Sequence, residues 1–318
     1  MQVSALGLGC WAIGGPWTFN GEPAGWGEVD DDESVRAIRR ALDLGVTLFD
    51  TADVYGCGHS ERVLGKALAG RRDDVVIVTK AGNLFDEQTR TGGGNDVSPA
   101  YLRSACDASL RRLDTDRIDV YLIHDGIGGP DDVPAVVDTL DELVAAGKIR
   151  WYGSSMSDPA IVRAMAEGPN MVAVQHELNV LRGELEALSV AEDLGLASLN
   201  RTPLAMGLLS GRYRPDALPA ADDVRRNSPW WDFFDEDGGM ERHLERIAEA
   251  RAELTADGRS LVQGALGWIW GHSPITLPLP GFRTVAQVEE NVGAAEHGPL
   301  PAERMERIRA ILGEPLPA

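Results

Sequence analysis

Three apolar runs of this 318-residue chain each end on an ionisable side chain: "VTLFD" (46–50) on Asp50, "VVIVTK" (75–80) on Lys80 and "IDVYLIH" (118–124) on His124. A phenol, Tyr55, follows Asp50 by five positions in "FDTADVYG". Together they form an acid–base set. A phenol has an ordinary pKa of ~10 and donates poorly at neutral pH. A lysine cation ~4 Å away, at an effective dielectric of ~20, favours the phenolate by about 4 kcal/mol. At ~1.4 kcal/mol per pKa unit, Lys80 is expected to lower Tyr55 by a couple of units. Asp50 would hold Lys80 charged and in place, while His124 would hydrogen-bond and orient a substrate oxygen against Tyr55. Such a set suits protonation of an oxygen that gains negative charge, as a carbonyl does on receiving hydride.

For these residues to meet, the segments that carry them must be neighbouring parallel strands. Further strands are expected at 6–11, 148–155, 171–175, 196–200 and 275–280, which makes eight. Helical patterns lie between them at 32–44, 60–69, 98–112, 133–146, 158–167, 183–194, 241–256 and 284–294. The third helix opens with Ser98-Pro99, an N-cap followed by proline at the first helical position. Strands that read as buried on both faces, each followed by a helix, indicate parallel pairing. Eight such units predict an α/β fold of the closed (β/α)₈ barrel type, with residues 1–318 as one domain. In that fold all strand C-termini open onto one face, where Asp50, Lys80 and His124 would converge. Two long excursions, 14–30 and 212–240, belong to that face and are candidates for shaping a substrate pocket. Trp11 and the Trp230/Trp231 pair are the aromatic candidates for its lining.

Composition narrows the function classes. The formal net charge is −20, with 43% hydrophobic and 25% charged residues, which fits a globular chain and disfavours nucleic acid as a partner. Neither a membrane span nor a signal peptide is suggested. Cys10, Cys57 and Cys106 have neither disulfide nor zinc-site spacing, so a reducing cytoplasm is expected. Cys57, near Tyr55, reads as a bystander rather than a redox group. His59, His176, His243, His272 and His297 show no metal-ligand spacing, and no metal is expected. "GLGCWA" (7–12) satisfies a dinucleotide-fold fingerprint, but "IGGPWTFNGEPAGWG" after it cannot open the required helix, so that reading is rejected.

With these motifs in hand, the chain resembles the aldo-keto reductases. "FDTADVYGCGHSERVLGKAL", "VVIVTK", "IDVYLIH", "RTPLAMGLLSGRY" and "LPGFRTVAQVEEN" carry the resemblance, in order and over essentially the whole chain. It implies a barrel that binds NADPH/NADP+ in an extended pose, NADH being possible as well. It also implies a catalytic tetrad at Asp50, Tyr55, Lys80 and His124. By the same resemblance the nicotinamide end would meet Trp11, Asp50, Ser154, Ser155, Gln175 and Arg201. Pro203, Leu204, Gly207, Leu209 and Ser210 would wrap the pyrophosphate. Gly281, Arg283, Gln287, Glu290 and Asn291 would hold the adenosine end, with Arg283 and the helix N-terminus near Thr284 as an anion site for the ribose 2′-phosphate.

The sequence departs from the family pattern at Met156, where an asparagine is usual, and at Arg201, where many members stack an aromatic ring on the nicotinamide. The resemblance also implies about ten further residues forming a barrel-floor hairpin ahead of "MQVSALGLGC", and without them a more open barrel floor is expected. The expected activity is NADPH-dependent carbonyl reduction of an aldehyde, ketone or sugar with Tyr55 as general acid. The alternatives are oxidation of an aldose or alcohol by the same residues, and a cofactor-binding regulatory subunit on the same barrel. A paired-carboxylate hydrolase ranks below these, because no second carboxylate appears at the strand ends expected here.

Overall fold

A computed structural model of the chain describes residues 2–214, 218–226, 228, 230–235 and 238–316. Eight strands, Leu8–Gly9, Leu48–Asp50, Val76–Ala81, Ile118–Ile123, Ile149–Ser154, Met171–Glu177, Ala197–Arg201 and Thr276–Pro278, form one sheet in chain order. Every pairing within it is parallel. The first strand meets the last through a Gly9–Gly281 bridge and the bonds Gly7 N to Pro278 O and Gly9 N to Pro280 O, so the sheet closes as a barrel. All eight strands coincide with the segments expected from the sequence.

Side-chain alternation decides which residues reach the site. Leu48, Val76, Val78, Val120, Leu122, Ala173, Leu199 and Leu277 form one cluster inside the barrel, whereas Phe49, Ile77, Tyr121, Ile123 and Val174 join the cluster that packs against the helices. Residues two apart share a face of a strand. Asp50, Lys80, His124, Gln175, Glu177 and Arg201 therefore continue the inward-facing series, one layer above the apolar filling. At the opposite end Val3 packs against the inner cluster, and the Ser4 and Thr47 backbone amides each bond the other's hydroxyl at 2.8 and 3.0 Å.

The helices cap as their sequences suggest. Asp30 accepts from Glu33 N ahead of helix Asp31–Asp43, and Ser98 accepts from Tyr101 N ahead of Pro99–Leu113. Two helices escaped the sequence reading. Leu261–Trp270 is too apolar for a clear amphipathic period, although Ser260 and Gln263 form a complete capping box at its start. Ala302–Leu312 packs its buried Ile308 into the cluster beneath the second excursion. A small sheet was also unforeseen: Thr18–Phe19 pairs with Glu22–Pro23 and with Thr91–Asn95, which pairs with Asn83–Asp86. The glycine run "TGGGN" carries no strand propensity, and only its tertiary partners make it one. Among the described residues no helix is long and apolar enough to cross a membrane.

Candidate active site

The strand ends bring the four candidate catalytic side chains together. Lys80 Nζ, fully buried, lies 2.9 Å from Asp50 Oδ2, 2.7 Å from the Thr51 carbonyl and 3.4 Å from the Tyr55 hydroxyl. The other Asp50 oxygen accepts from Gln175 Nε2 at 2.9 Å. The His124 ring stands edge-on to Tyr55 at 5.7 Å, and its buried Nδ1 has no hydrogen-bond partner among the described residues. The stagger between strands achieves this: Asp50 pairs with Val78, so Lys80, two residues on and on the same face, rises beside Asp50 towards Tyr55.

Burial and charge set the protonation states. Burial would pull Lys80 down, but the Asp50 carboxylate and Tyr55 outweigh it and hold the ammonium above its ordinary range. Burial raises Asp50, opposed by Lys80. Burial, with Lys80 and Arg201 adding to it, pushes His124 well below the usual imidazole range, so it is neutral at physiological pH. Tyr55 corrects the sequence expectation: burial outweighs the Lys80 cation, and the phenol is raised rather than lowered. The attraction of Lys80 acts as expected, but desolvation of the phenolate is the larger effect. Lys80 offsets part of that penalty, and Tyr55 remains a protonated phenol.

The loop carrying Tyr55 tolerates no bulk at Gly56. That residue has φ +62°, and a Cβ there would fall inside the Gly14 carbonyl oxygen. We expect Gly56→Ala to displace Tyr55 and lower turnover by about tenfold or more, since small misplacements of reacting groups are expensive. Retained dinucleotide binding, measured by fluorescence titration, would separate this from global unfolding.

The quartet opens into a cavity of about 750 Å³. Of the residues expected around it, Trp11, Asp50, Tyr55, His124, Ser155, Gln175, Arg201, Pro203, Leu204, Gly207, Ser210, Trp230, Trp231, Gly281, Arg283, Gln287, Glu290 and Asn291 line it. Lys80 sits beneath the lining. Two residues do not reach it. Ser154 pairs in register with the outward-facing Ile123 and Val174, so alternation turns it away, and its hydroxyl bonds the Met156 carbonyl at 2.7 Å and accepts from Met156 N at 3.0 Å. Leu209 is buried in the apolar cluster with Met206 and Leu208. Met156 packs its side chain against the barrel–helix core, leaving Ser155 Oγ, 3.3 Å from Gln175 Oε1, as the polar pair on that wall.

The two excursions lean on each other over the cavity. Val224 N donates to the Gly25 carbonyl at 2.8 Å, and the Arg225 guanidinium lies 4.7 Å from the Trp26 ring. Trp11 stacks on Tyr55 with centroids 5.8 Å apart and contacts both Trp26 and Trp231. Trp231 donates its indole N–H to Glu177 Oε2 at 3.1 Å. The same carboxylate takes Arg201 Nη1 at 3.3 Å, and Arg201 Nη2 lies 3.4 Å from Glu184 Oε2. Glu177, Glu184 and Arg225 were missed at the sequence level, and Trp26, within the first excursion, was passed over in favour of Trp11, Trp230 and Trp231. Glu177 was within reach, since it lies two residues beyond Gln175 on the same face. The others depend on how the loops cross.

Along the far wall the segment after strand Ala197–Arg201 holds Thr202, Ala205 and Met206 at positive φ, followed by Gly207 at +98°. Left-handed non-glycine residues are strained, and they concentrate where a loop wraps a ligand. Cys57 is buried, its thiol pushed up to about 12 by burial, which leaves it an inert packing residue.

A barrel whose strand ends gather an Asp–Lys–Tyr–His set beneath an elongated cleft is the architecture of a barrel oxidoreductase. The chain belongs to the aldo/keto reductase family, whose sequence model covers residues 5–313, and it is an oxidoreductase of that family. It is similar to the aldo-keto reductase YhdN of Bacillus subtilis, 32% identical over 91% of this chain and 84% of that one. It is likewise similar to the aldo-keto reductase yakc [NADP(+)] of Schizosaccharomyces pombe, 30% identical over 92% and 84%. Among solved structures, the glycerol dehydrogenase AKR11B4 of Gluconobacter oxydans superposes with a TM-score of 0.84 at 31% identity, over 99% of this chain and 94% of that one. An aldo/keto reductase of Klebsiella pneumoniae in complex with NADP and acetate gives 0.71 at 27% identity, over 98% and 93%.

Proposed function

We propose that this chain is an NADPH-dependent reductase of aldehydes or ketones in which Tyr55 is the general acid. The carrying observation is the Lys80 ammonium, which bonds Asp50 and Thr51 and reaches the Tyr55 hydroxyl at the floor of the cavity. A nicotinamide dinucleotide supplies the hydride when bound. The cleft fits one: it runs from Tyr55 and His124, past the strained 202–207 turn, to Arg283 and Asn291. Ser155 and Gln175 would hold the carboxamide, Gly207 and Ser210 the pyrophosphate, and Arg283 and Gln287 the adenosine end.

The chain's own residues supply the proton and the orientation. Tyr55, kept protonated by burial, donates to the substrate oxygen as negative charge grows there. Neutral His124 hydrogen-bonds that oxygen without introducing a competing cation, and Lys80 stabilises the tyrosinate left behind. Trp11, Trp230 and Trp231 wall the substrate side and exclude water from the step. The same residues serve alcohol oxidation in reverse, with tyrosinate as base, a direction in keeping with the likeness to a glycerol dehydrogenase. The three free cysteines are all buried, in keeping with a cytoplasmic enzyme.

A fluorescence titration with NADPH and NADH, followed by a panel of carbonyl substrates, tests this reading. Absence of sub-millimolar binding by either nucleotide would remove it. Arg283→Ala is expected to weaken NADPH by about tenfold or more, the scale of a charge-assisted contact to phosphate, and to leave NADH nearly unchanged. Equal loss for both would take Arg283 away from the 2′-phosphate.

A further inference from the structure

The groups that would receive a 2′-phosphate are already engaged by other parts of the chain. Arg283 donates Nη1 to the Trp26 carbonyl at 3.1 Å and Nη2 to the Glu28 carbonyl. The first amide of helix Val285–His297, Val285 N, donates to Glu33 Oε1 at 2.9 Å. Glu33 belongs to the first turn of helix Asp31–Asp43, and its other oxygen takes Arg36 Nε at 3.1 Å and Nη2 at 2.8 Å. The Val285 amide, followed by Arg36, holds Glu33 below the usual carboxylate range, so it is charged at neutral pH. An acid thus sits where the sequence alone suggested a free anion site.

We propose that Glu33 is a cofactor-discriminating residue: its carboxylate, seated at the head of the helix that bears Gln287, Glu290 and Asn291, disfavours a dinucleotide with a 2′-phosphate relative to one with a free 2′-hydroxyl. This rests on the reading of the Arg283 region as the adenosine end of the cofactor site. A phosphate monoester brings about −1.5 to −2 charges at neutral pH. Arg283 attracts it, but Glu33 cancels the positive end of the adjacent helix dipole and adds a like charge. The neighbouring acids Asp31 and Asp32 are drawn to His59 and Lys66. Arg36 has a side chain 60% exposed, so solvent screens it and it offsets only part of the Glu33 charge. A 2′-hydroxyl carries no charge to be repelled.

Glu33→Gln isolates the charge, because the amide oxygen can still accept from Val285 N. Binding is read from quenching of intrinsic tryptophan fluorescence on titration with NADP+ and NAD+, without turnover. NADP+ is expected to tighten by about three- to tenfold, the range for one partly screened charge, with NAD+ within about twofold. Arg36→Ala, at an exposed position that leaves the fold intact, is expected to shift the preference the opposite way. An unchanged NADP+/NAD+ ratio in both variants, or equal shifts for both nucleotides, would overturn the proposal. Arg283→Ala run in parallel separates the two readings. If it weakens both nucleotides equally, the 2′-phosphate lies elsewhere and both readings fall. If it weakens NADP+ selectively while the Glu33 and Arg36 variants keep the wild-type ratio, only the role of Glu33 is lost.

Discussion

Tyr55→Phe is expected to lower carbonyl turnover by about 10²- to 10⁴-fold, the range that a positioned general acid contributes. The substitution removes one oxygen and leaves the ring stacked on Trp11, 5.8 Å away, and edge-on to His124. Cofactor binding should therefore stay near the wild-type level, and single-turnover kinetics against a carbonyl substrate should locate the loss in the chemical step. Turnover comparable to wild type would remove Tyr55 as the acid. The raised phenol adds a pH signature. Because burial lifts Tyr55 above its ordinary 10.0, the protonated, donating form persists through neutral pH, and reductive activity should fall only on the alkaline side. Loss of activity between pH 6 and 8 would point to another group.

Lys80→Met is expected to destabilise the protein by about 3–5 kcal/mol, because it leaves Asp50 as a buried carboxylate without its cation. The pair has almost no contact with solvent: the Lys80 side chain is 0% and the Asp50 side chain 7% exposed. The second half of the experiment is the double variant Asp50→Asn/Lys80→Met. It removes both charges, keeps an amide oxygen for Gln175, and should recover most of the lost stability without recovering activity. Urea unfolding of the two variants measures this. A single variant as stable as wild type would show that the Asp50–Lys80 pair has no part in holding the strand ends together.

The eight strand positions were legible because each buried strand is a short β-branched or aliphatic run bounded by polar or glycine-rich sequence. Asp50, Lys80 and His124 stood out as ionisable groups ending such runs. Period-two alternation also fixes which side chains at the strand ends reach the cavity. It places Glu177 with Gln175, and it turns Ser154 away while Ser155 faces the cavity. The strand "TGGGN" and helix Leu261–Trp270 lacked a local signature, the first having only glycine between its polar ends and the second almost no polar face.

By itself the sequence determined the barrel and the placing of Asp50, Lys80 and His124 at the ends of neighbouring parallel strands, because those follow from local periodicity and strand order. Tertiary structure decided three other matters. It made Tyr55 a raised phenol, since desolvation depends on everything packed around the ring. It tied the two excursions together through Val224 and Arg225, since loop crossings leave no periodic trace. It also seated Glu33 on Val285, although 252 residues separate them along the chain. That contact exists because helix Asp31–Asp43 follows the first strand and helix Val285–His297 follows the last, and barrel closure makes the first and last strands neighbours.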